Sequence, residues 1–174
     1  MQSLKFIVIF VFCVFLNTQL IANEKIVYVD MNKLMTLSEA GKSISNQLST
    51  IHEKNLKLLK NISDNLKEEE TTIIAQKNII AKEEFQKKLI IFKGKADDYK
   101  NKRNEINKSI NKKRVEATSK LLAFIQPILG EYANKNSISI IIQKKNIILG
   151  KTDLDITDSI LKTLNSKHKK IKIK

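Results

Sequence analysis

The longest pattern of apolar positions spans residues 44–124 and predicts two helices folded back on each other. In the second half the positions recur in steps of three and four, a period near 3.5 that is typical of a coiled-coil seam. They are Phe85, Leu89, Phe92, Ala96, Tyr99, Arg103, Ile106, Ile110, Lys113, Ala117, Leu121 and Phe124. The first half is looser, with Ile44, Leu48, Ile51, Asn55, Leu58, Ile62, Leu66 and Ile73. The pattern predicts an outgoing helix at about 43–76, a reversal within 74–82 and a returning helix at about 83–134.

A short β-branched segment precedes this hairpin. Residues 26–30 predict a buried strand that runs into a helix cap, with Asp30 or Asn32 supplying the capping oxygen for a short helix or turn at 33–39. Gly41 predicts a bend before the outgoing helix.

A second β-branched segment follows the hairpin. Residues 137–143 predict a strand, 144–146 a hairpin turn, and 147–149 a partner strand that ends at Gly150. The sheet would then have three short strands.

The chain closes with a short helix and a basic tail. Asp155 or Thr157 can cap the helix, and Ile160 and Leu164 belong to its apolar face. Lysine and isoleucine alternate over 167–174, which predicts a frayed basic tail.

A helical hairpin brings its two ends together, so the strands on either side become neighbours. One small sheet cannot cover its own edges, whereas three copies joined around an axis can. The fold class is therefore α+β and mainly helical, with a coiled-coil arm at 43–134 and a β body at 23–42 and 135–166 that forms on trimerisation. The residues expected in the β body and its trimer contacts are Ile26, Val27, Tyr28, Val29, Ile140, Ile141, Ile142 and Ile148.

The N-terminus predicts the compartment. Lys5 precedes an unbroken apolar run of 11 residues at 6–16, and Ala22 suits the last position before cleavage. The run is too short to span a bilayer, which needs about 20 apolar residues. Residues 1–22 are therefore expected to be a cleaved signal peptide that sends the chain to the periplasm, with retention as an anchor as the alternative. Cleavage would leave a chain without cysteine, because Cys13 lies in the signal.

Charge narrows the possible partners. The chain of 174 residues has 32 Lys and Arg against 18 Asp and Glu, a net charge of +14. Such a protein meets nucleic acid, anionic membrane or acidic proteins, and export disfavours nucleic acid.

The sequence contains no constellation that predicts an enzyme, a metal site or a cofactor. His52 and His168 are isolated, and no glycine-rich phosphate loop is present. The acidic runs at 68–70 and 83–84 have no predicted pocket that would tune them for acid–base catalysis, so they are expected to be solvated.

More isoleucine lies near the reversal than a narrow seam can bury. The candidate client-binding residues are Ile73, Ile74, Ile79, Ile80, Ile90, Ile91, Lys87 and Lys88. Exposed apolar groups at the end of an arm suit weak holding of unfolded chains, and ordinary packing in a wider tip is the alternative. Arg103 and Lys113 on the seam either fix its register or attract acidic clients.

The two ends of the mature chain resemble the Skp (OmpH-like) family of periplasmic chaperones. The resemblance rests on residues 25–31, on 140–142 and on the Asp-Ile-Thr-Asp segment at 155–158 with its following Ser-Ile-Leu-Lys. It implies a homotrimer whose arms enclose unfolded outer-membrane β-barrel proteins. The tail after Ser166 extends past the usual family end. The tip sequence at 73–80 does not align residue by residue with the family pattern, so no tip binding site is carried over.

Two functions follow as hypotheses. The first is an ATP-independent periplasmic holdase that prevents aggregation of unfolded outer-membrane proteins. The alternative is a structural coiled-coil envelope protein tethered to an anionic membrane by its basic tail.

Overall fold

The computed structural model of the protein describes residues 24–173, so the predicted signal peptide lies outside the described residues. The elements in chain order are β1 (Lys25–Val29), α1 (Met31–Leu37), α2 (Glu39–Gln76), α3 (Lys82–Lys135), β2 (Ile138–Gln143) and α4 (Thr157–Lys167). The mainly helical fold with a long hairpin and a small sheet is confirmed.

Helices α2 and α3 form the arm. Their 38 and 54 residues correspond to lengths of roughly 57 and 81 Å. Helix α2 starts four residues earlier than predicted, because the Ser38 hydroxyl accepts a hydrogen bond from the Gly41 amide at 3.0 Å and caps it. The arm reverses at 77–81 without glycine or proline, since the amides of Ile79 and Ile80 both donate to the carbonyl of Gln76.

Gly41 does not mark a bend, as the sequence suggested, but lies inside α2. A Cβ atom at this position would stand 2.0 Å from the carbonyl oxygen of Met35. The absence of a side chain therefore allows α1 to approach α2 closely. This close approach depends on tertiary geometry that no local pattern encodes.

The sheet differs from the predicted hairpin. Strands β1 and β2 pair in parallel, with Val27 opposite Ile141, and no strand forms at 147–149. Instead, Lys144–Asn146 makes a single 3₁₀ turn, and the chain crosses back over Tyr28, whose hydroxyl donates to the carbonyl of Lys151 at 3.1 Å. The place beside β1 is taken by one bridge between Tyr28 and Asp155. The prediction of a third strand within the protomer is therefore wrong.

The core lies where the arm meets the sheet and the closing helix. Buried side chains of β1, α1 and α4 pack there with those of both arm helices. The largest fully buried ones are Leu34, Leu121, Ile125, Ile160, Leu164, Val27 and Val29. The predicted cap at Asp30 is confirmed, since its carboxylate accepts from the Lys33 amide at 2.9 Å.

The C-terminal tail is not frayed, as the sequence predicted, but folded against the arm. Ile171 is buried in the core cluster, and the ring of His168 stacks on that of Phe124. The alternation of lysine and isoleucine reflects a segment with one packed side and one solvated side.

Asp155 links the segment before α4 to β2. Its carboxylate accepts hydrogen bonds from the amide and hydroxyl of Thr157 and pairs with Lys144 at 2.7 Å. Partial burial raises the pKa of Asp155, but the hydrogen bonds from Lys144 and Thr157 outweigh burial and leave this pKa below its usual value.

The N-cap of α4 is Ile156 and has no side-chain cap, so the predicted capping role of Asp155 or Thr157 is wrong. We still expect Asp155→Asn to lower the free energy of unfolding by about 1 kcal/mol at pH 7, as the loss of one intramolecular hydrogen bond does. A lowered folded-state pKa contributes stability above the unfolded pKa of about 4 and loses it as pH falls through the folded value. The difference between wild type and variant should therefore shrink at pH 3, measured by urea unfolding. Asp153→Asn, at an exposed carboxylate, is the control. It should leave the free energy of unfolding unchanged at both pH 7 and pH 3.

Candidate client-binding surface of the arm

The end of the arm carries exposed apolar side chains on both helices and on the reversal between them. We call it the tip patch, and it consists of Ile74, Ile79, Leu89, Ile90 and Ile91. The exposed fractions are 63% for Ile74, 79% for Ile79, 72% for Ile90 and 57% for Ile91. The α3 members lie within roughly 14 Å of the start of that helix, at 1.5 Å per residue. Large apolar groups gathered this way mark a binding surface more often than scattered ones do.

Helical geometry explains why α3 cannot bury these residues on its seam. Successive residues are separated by 100° around a helix, so Ile90 points away from the side of half-buried Phe85 and Phe92. Ile91 lies at the rim of a concavity that faces α2 and remains 57% exposed. Leu89, a predicted seam residue, is also 42% exposed, because Lys88 takes the more enclosed position beside it.

Ile73 and Ile80 differ from the other candidate isoleucines. Ile73 is only 5% exposed, and Ile80 is half-buried. Ile73 lines a concavity of about 340 Å³ together with Gln76, Lys88 and Ile91. Ile73 therefore belongs to the packing of the hairpin and adds no surface for a client.

The two candidate lysines also differ from each other. Lys88 donates a hydrogen bond to the Gln76 side chain at 2.7 Å and lies 3.6 Å from the Glu84 carboxylate. It ties α3 to the end of α2. Lys87 is exposed and is the one of the two with a charge directed to solvent.

A groove halfway along the arm was not predicted. It has a volume of about 510 Å³ and lies between Leu58, Ile62 and Leu66 of α2 and Tyr99 of α3. Lys95 spans the two helices nearby, with its ammonium 2.7 Å from Glu69. The periodic pattern assigned all four apolar residues to a closed seam. Its looseness in the outgoing half was the signal that this stretch is incompletely packed.

The charge of the arm is concentrated on α3. This helix has 14 Lys and Arg against 7 Asp and Glu, whereas α2 has 5 against 6. Arg103 is exposed and Lys113 half-buried, so Arg103 does not occupy the seam that its spacing predicted. An anionic segment approaching the arm is attracted chiefly to the α3 side.

The β body presents apolar surface at some of the predicted contact residues and not at others. Val27, Tyr28 and Val29 are buried within the protomer, and Ile141 and Ile142 are half-buried. By contrast, Ile26 and Ile140 are exposed, and Ile148 and its neighbour Leu149 stand almost wholly in solvent at 104% and 91% exposure.

The remaining titratable groups do not assemble into a reactive centre within residues 24–173. No three metal-ligating side chains converge there. His52 is exposed on the arm, and His168 is stacked on Phe124. Within the same part of the chain, no helix combines the length and apolar character that a membrane crossing needs.

A family model and solved structures both match this chain. The model of the outer membrane protein (OmpH-like) family matches residues 25–164. A crystal structure of a candidate outer membrane chaperone (OmpH-like) from Caulobacter crescentus superposes with a TM-score of 0.81, at 18% identity over 86% of this chain and 88% of that one. No curated protein matches the chain.

Proposed function

Because the chain belongs to the outer membrane protein (OmpH-like) family, we propose that it is an ATP-independent holdase of the periplasm. Its clients are unfolded outer-membrane β-barrel proteins, which it keeps from aggregating. The observation that carries the proposal is the tip patch, four of whose side chains are isoleucines exposed by more than half. Such a surface is costly to leave in water unless a partner covers it.

Confinement is the mechanism that fits this surface. The tip patch covers apolar stretches of a client, and the basic side of α3 attracts its acidic stretches. Neither contact requires a shaped pocket, so many sequences can be held weakly. No nucleotide is needed, because the client leaves when it finds a better partner in the outer membrane. The charged part of the attraction is long-ranged and weakens with salt.

A homotrimer is the assembly that we propose for the working chaperone. Residues 147–149 have the composition of a strand yet remain unpaired in the protomer, with Ile148 and Leu149 in solvent. Strand edges and apolar side chains left in this state are suited to cover one another between copies. The sheet predicted from the sequence would then close between protomers instead of within one.

Aggregation of an unfolded β-barrel protein, diluted from urea and followed by light scattering, tests the holdase. We expect the mature chain to suppress scattering without ATP at one trimer per client, and less effectively at high salt. Full scattering at that ratio would rule the proposal out.

Tethering to an anionic membrane is the competing function, and one observation favours it. Lys42, Lys169, Lys170 and Lys172 line a single concavity, and none pairs with a carboxylate of residues 24–173.

In the same light-scattering assay, replacing the three tail lysines with glutamine should leave the suppression of aggregation intact if the holdase proposal is right. A chain that sediments with anionic vesicles through these lysines and fails to suppress scattering would favour the tether.

A further inference from the structure

The last described residues extend beyond the part of the chain that matches the family model. That match ends at residue 164, and α4 ends at Lys167. Residues 168–173, which we call the strap, then run across the root of the arm, meaning the end next to the sheet. This segment needs an explanation of its own.

Gln47 of α2 holds the strap on one side. Its side-chain nitrogen donates to the carbonyl of Ile171 at 2.6 Å, and its side-chain oxygen accepts from the amide of Ile173 at 3.1 Å. The side-chain amide thus bonds the strap at alternate residues, as a neighbouring β-strand would. Ile171 is buried between these two bonds.

Helix α3 holds the strap on the other side. The ring of His168 lies parallel to that of Phe124, with 4.0 Å between the ring centres and 5° between the planes. Lys167, the residue before the strap, pairs with Glu131 at 2.6 Å. The strap therefore connects both arm helices to α4 at one level of the arm.

The outer side of the strap works against this docking. Lys169, Lys170 and Lys172 are exposed, and they share a concavity of about 600 Å³ with Lys42 of α2. No carboxylate of residues 24–173 pairs with any of the four. Among the described residues, Glu39 is the one acidic residue that lines this concavity, so four positive charges face one negative charge and the lysines repel one another. Docking thus depends on buried Ile171, half-buried Ile173, one ring stack and one side-chain amide, a small set of contacts that can be released.

We propose that residues 168–173 are a releasable strap that joins α2 and α3 to α4 at the root of the arm and so limits how far the arm swings from the body. When the strap is docked, it holds the root of the arm against α4. With the strap released, the root keeps its core contacts with β1, α1 and α4 but loses the bonds from Gln47 and the stack on Phe124. The inference concerns motion of the arm and stands whether or not the arm holds clients.

Hydrogen exchange of the full mature chain tests the strap. Ile171→Asp unseats it by placing a carboxylate in the core, and Lys170→Asp adds the same group at the exposed position beside it. We expect Ile171→Asp to raise amide exchange at residues 43–51 and 121–132 about tenfold or more. Exchange at the tip, 70–80, and in β1 should stay unchanged, and Lys170→Asp should have no effect on the root.

Gln47→Leu gives a second test, because it removes both hydrogen bonds without altering the strap itself. We expect faster exchange of the strap and the root, by a smaller factor. The inference is overturned if strap amides exchange faster while the root does not. Equal acceleration of root, tip and strands would also overturn it, since it would indicate general destabilisation.

Swinging of the arm can be measured directly, because the mature chain is expected to lack cysteine. Spin labels at Lys77→Cys on the tip and Ser159→Cys on α4, in labelled chains diluted with unlabelled ones, report the distance from tip to body. The distribution should be narrow with the strap seated and broad in Ile171→Asp. Equal widths would show that the strap does not limit the swing.

Discussion

Replacing Ile79, Ile90 and Ile91 together with serine is expected to weaken the binding of an unfolded client by roughly 100-fold. Full burial of an isoleucine contributes about 1.5–3 kcal/mol. A mobile client covers each side chain only in part, so about 1 kcal/mol per residue is expected, and 1.4 kcal/mol corresponds to a factor of ten. A titration of a fluorescently labelled, unfolded β-barrel protein, followed by anisotropy, measures the change.

The fold should survive these substitutions, because all three side chains are exposed in the protomer. Unchanged thermal unfolding by circular dichroism would confirm that. Leu56, Val115 and Leu122 are exposed apolar residues elsewhere on the arm, and their replacement with serine is the matched control, expected to cost less than threefold. Wild-type affinity in the tip variant, or an equal loss in the control, would contradict the role of the tip patch.

Ile148→Asp combined with Leu149→Asp is expected to convert the proposed trimer into monomers. Two carboxylates buried at a subunit contact without partners cost several kcal/mol each, which is enough to separate a small interface. The protomer itself should be unaffected, since both side chains are already in solvent. Light scattering coupled to size exclusion should show the mass falling from three chains to one.

Leu56→Asp with Val115→Asp places the same charges on the arm and should leave the mass unchanged. A trimer that persists in the Ile148 and Leu149 variant would exclude this loop from the interface. A wild-type chain with the mass of a monomer would remove the trimer from the proposed function.

The arm could be predicted almost to the residue because its information is local. A seam repeats every three or four positions, and a break in the repeat marks the reversal, even without glycine or proline. The predicted end of the outgoing helix at residue 76 coincides with the end of α2 at Gln76. Its start was missed because Ser38, a capping residue, was not recognised as one.

The errors arose where separate elements of the fold pack against each other. Residues 147–149 have strand composition, but Tyr28 and Asp155 occupy the edge of β1 and direct the chain elsewhere. Gly41 is explained by Met35 on a neighbouring helix. The tail was taken as frayed because nothing near it in sequence indicates that Gln47 and Phe124 receive it.

The candidate surface was predictable in part for the same reason. The angular spacing of residues around a helix is enough to show that, if Phe92 lies on the seam, Ile90 and Ile91 cannot both lie on it. The same spacing could not show that Ile73 is buried while Ile74 is exposed. The apolar positions of the outgoing helix have no regular repeat near its end. The groove beside Tyr99 depends on how far the two helices separate, which no single helix encodes.

The parallel pairing of β1 with β2 also sets an order of folding. Val27 and Ile141 are partners across more than a hundred residues, and long-range pairing is slow because closing so large a loop costs entropy. The hairpin shortens that loop by folding first, since its contacts form from the reversal outwards and carry the two strands to each other. In the export that we propose, β1 would emerge early and remain unpaired until the end of the chain arrives. A chain truncated before β2 therefore cannot complete its sheet. Formation of the sheet requires that nearly the whole chain is present.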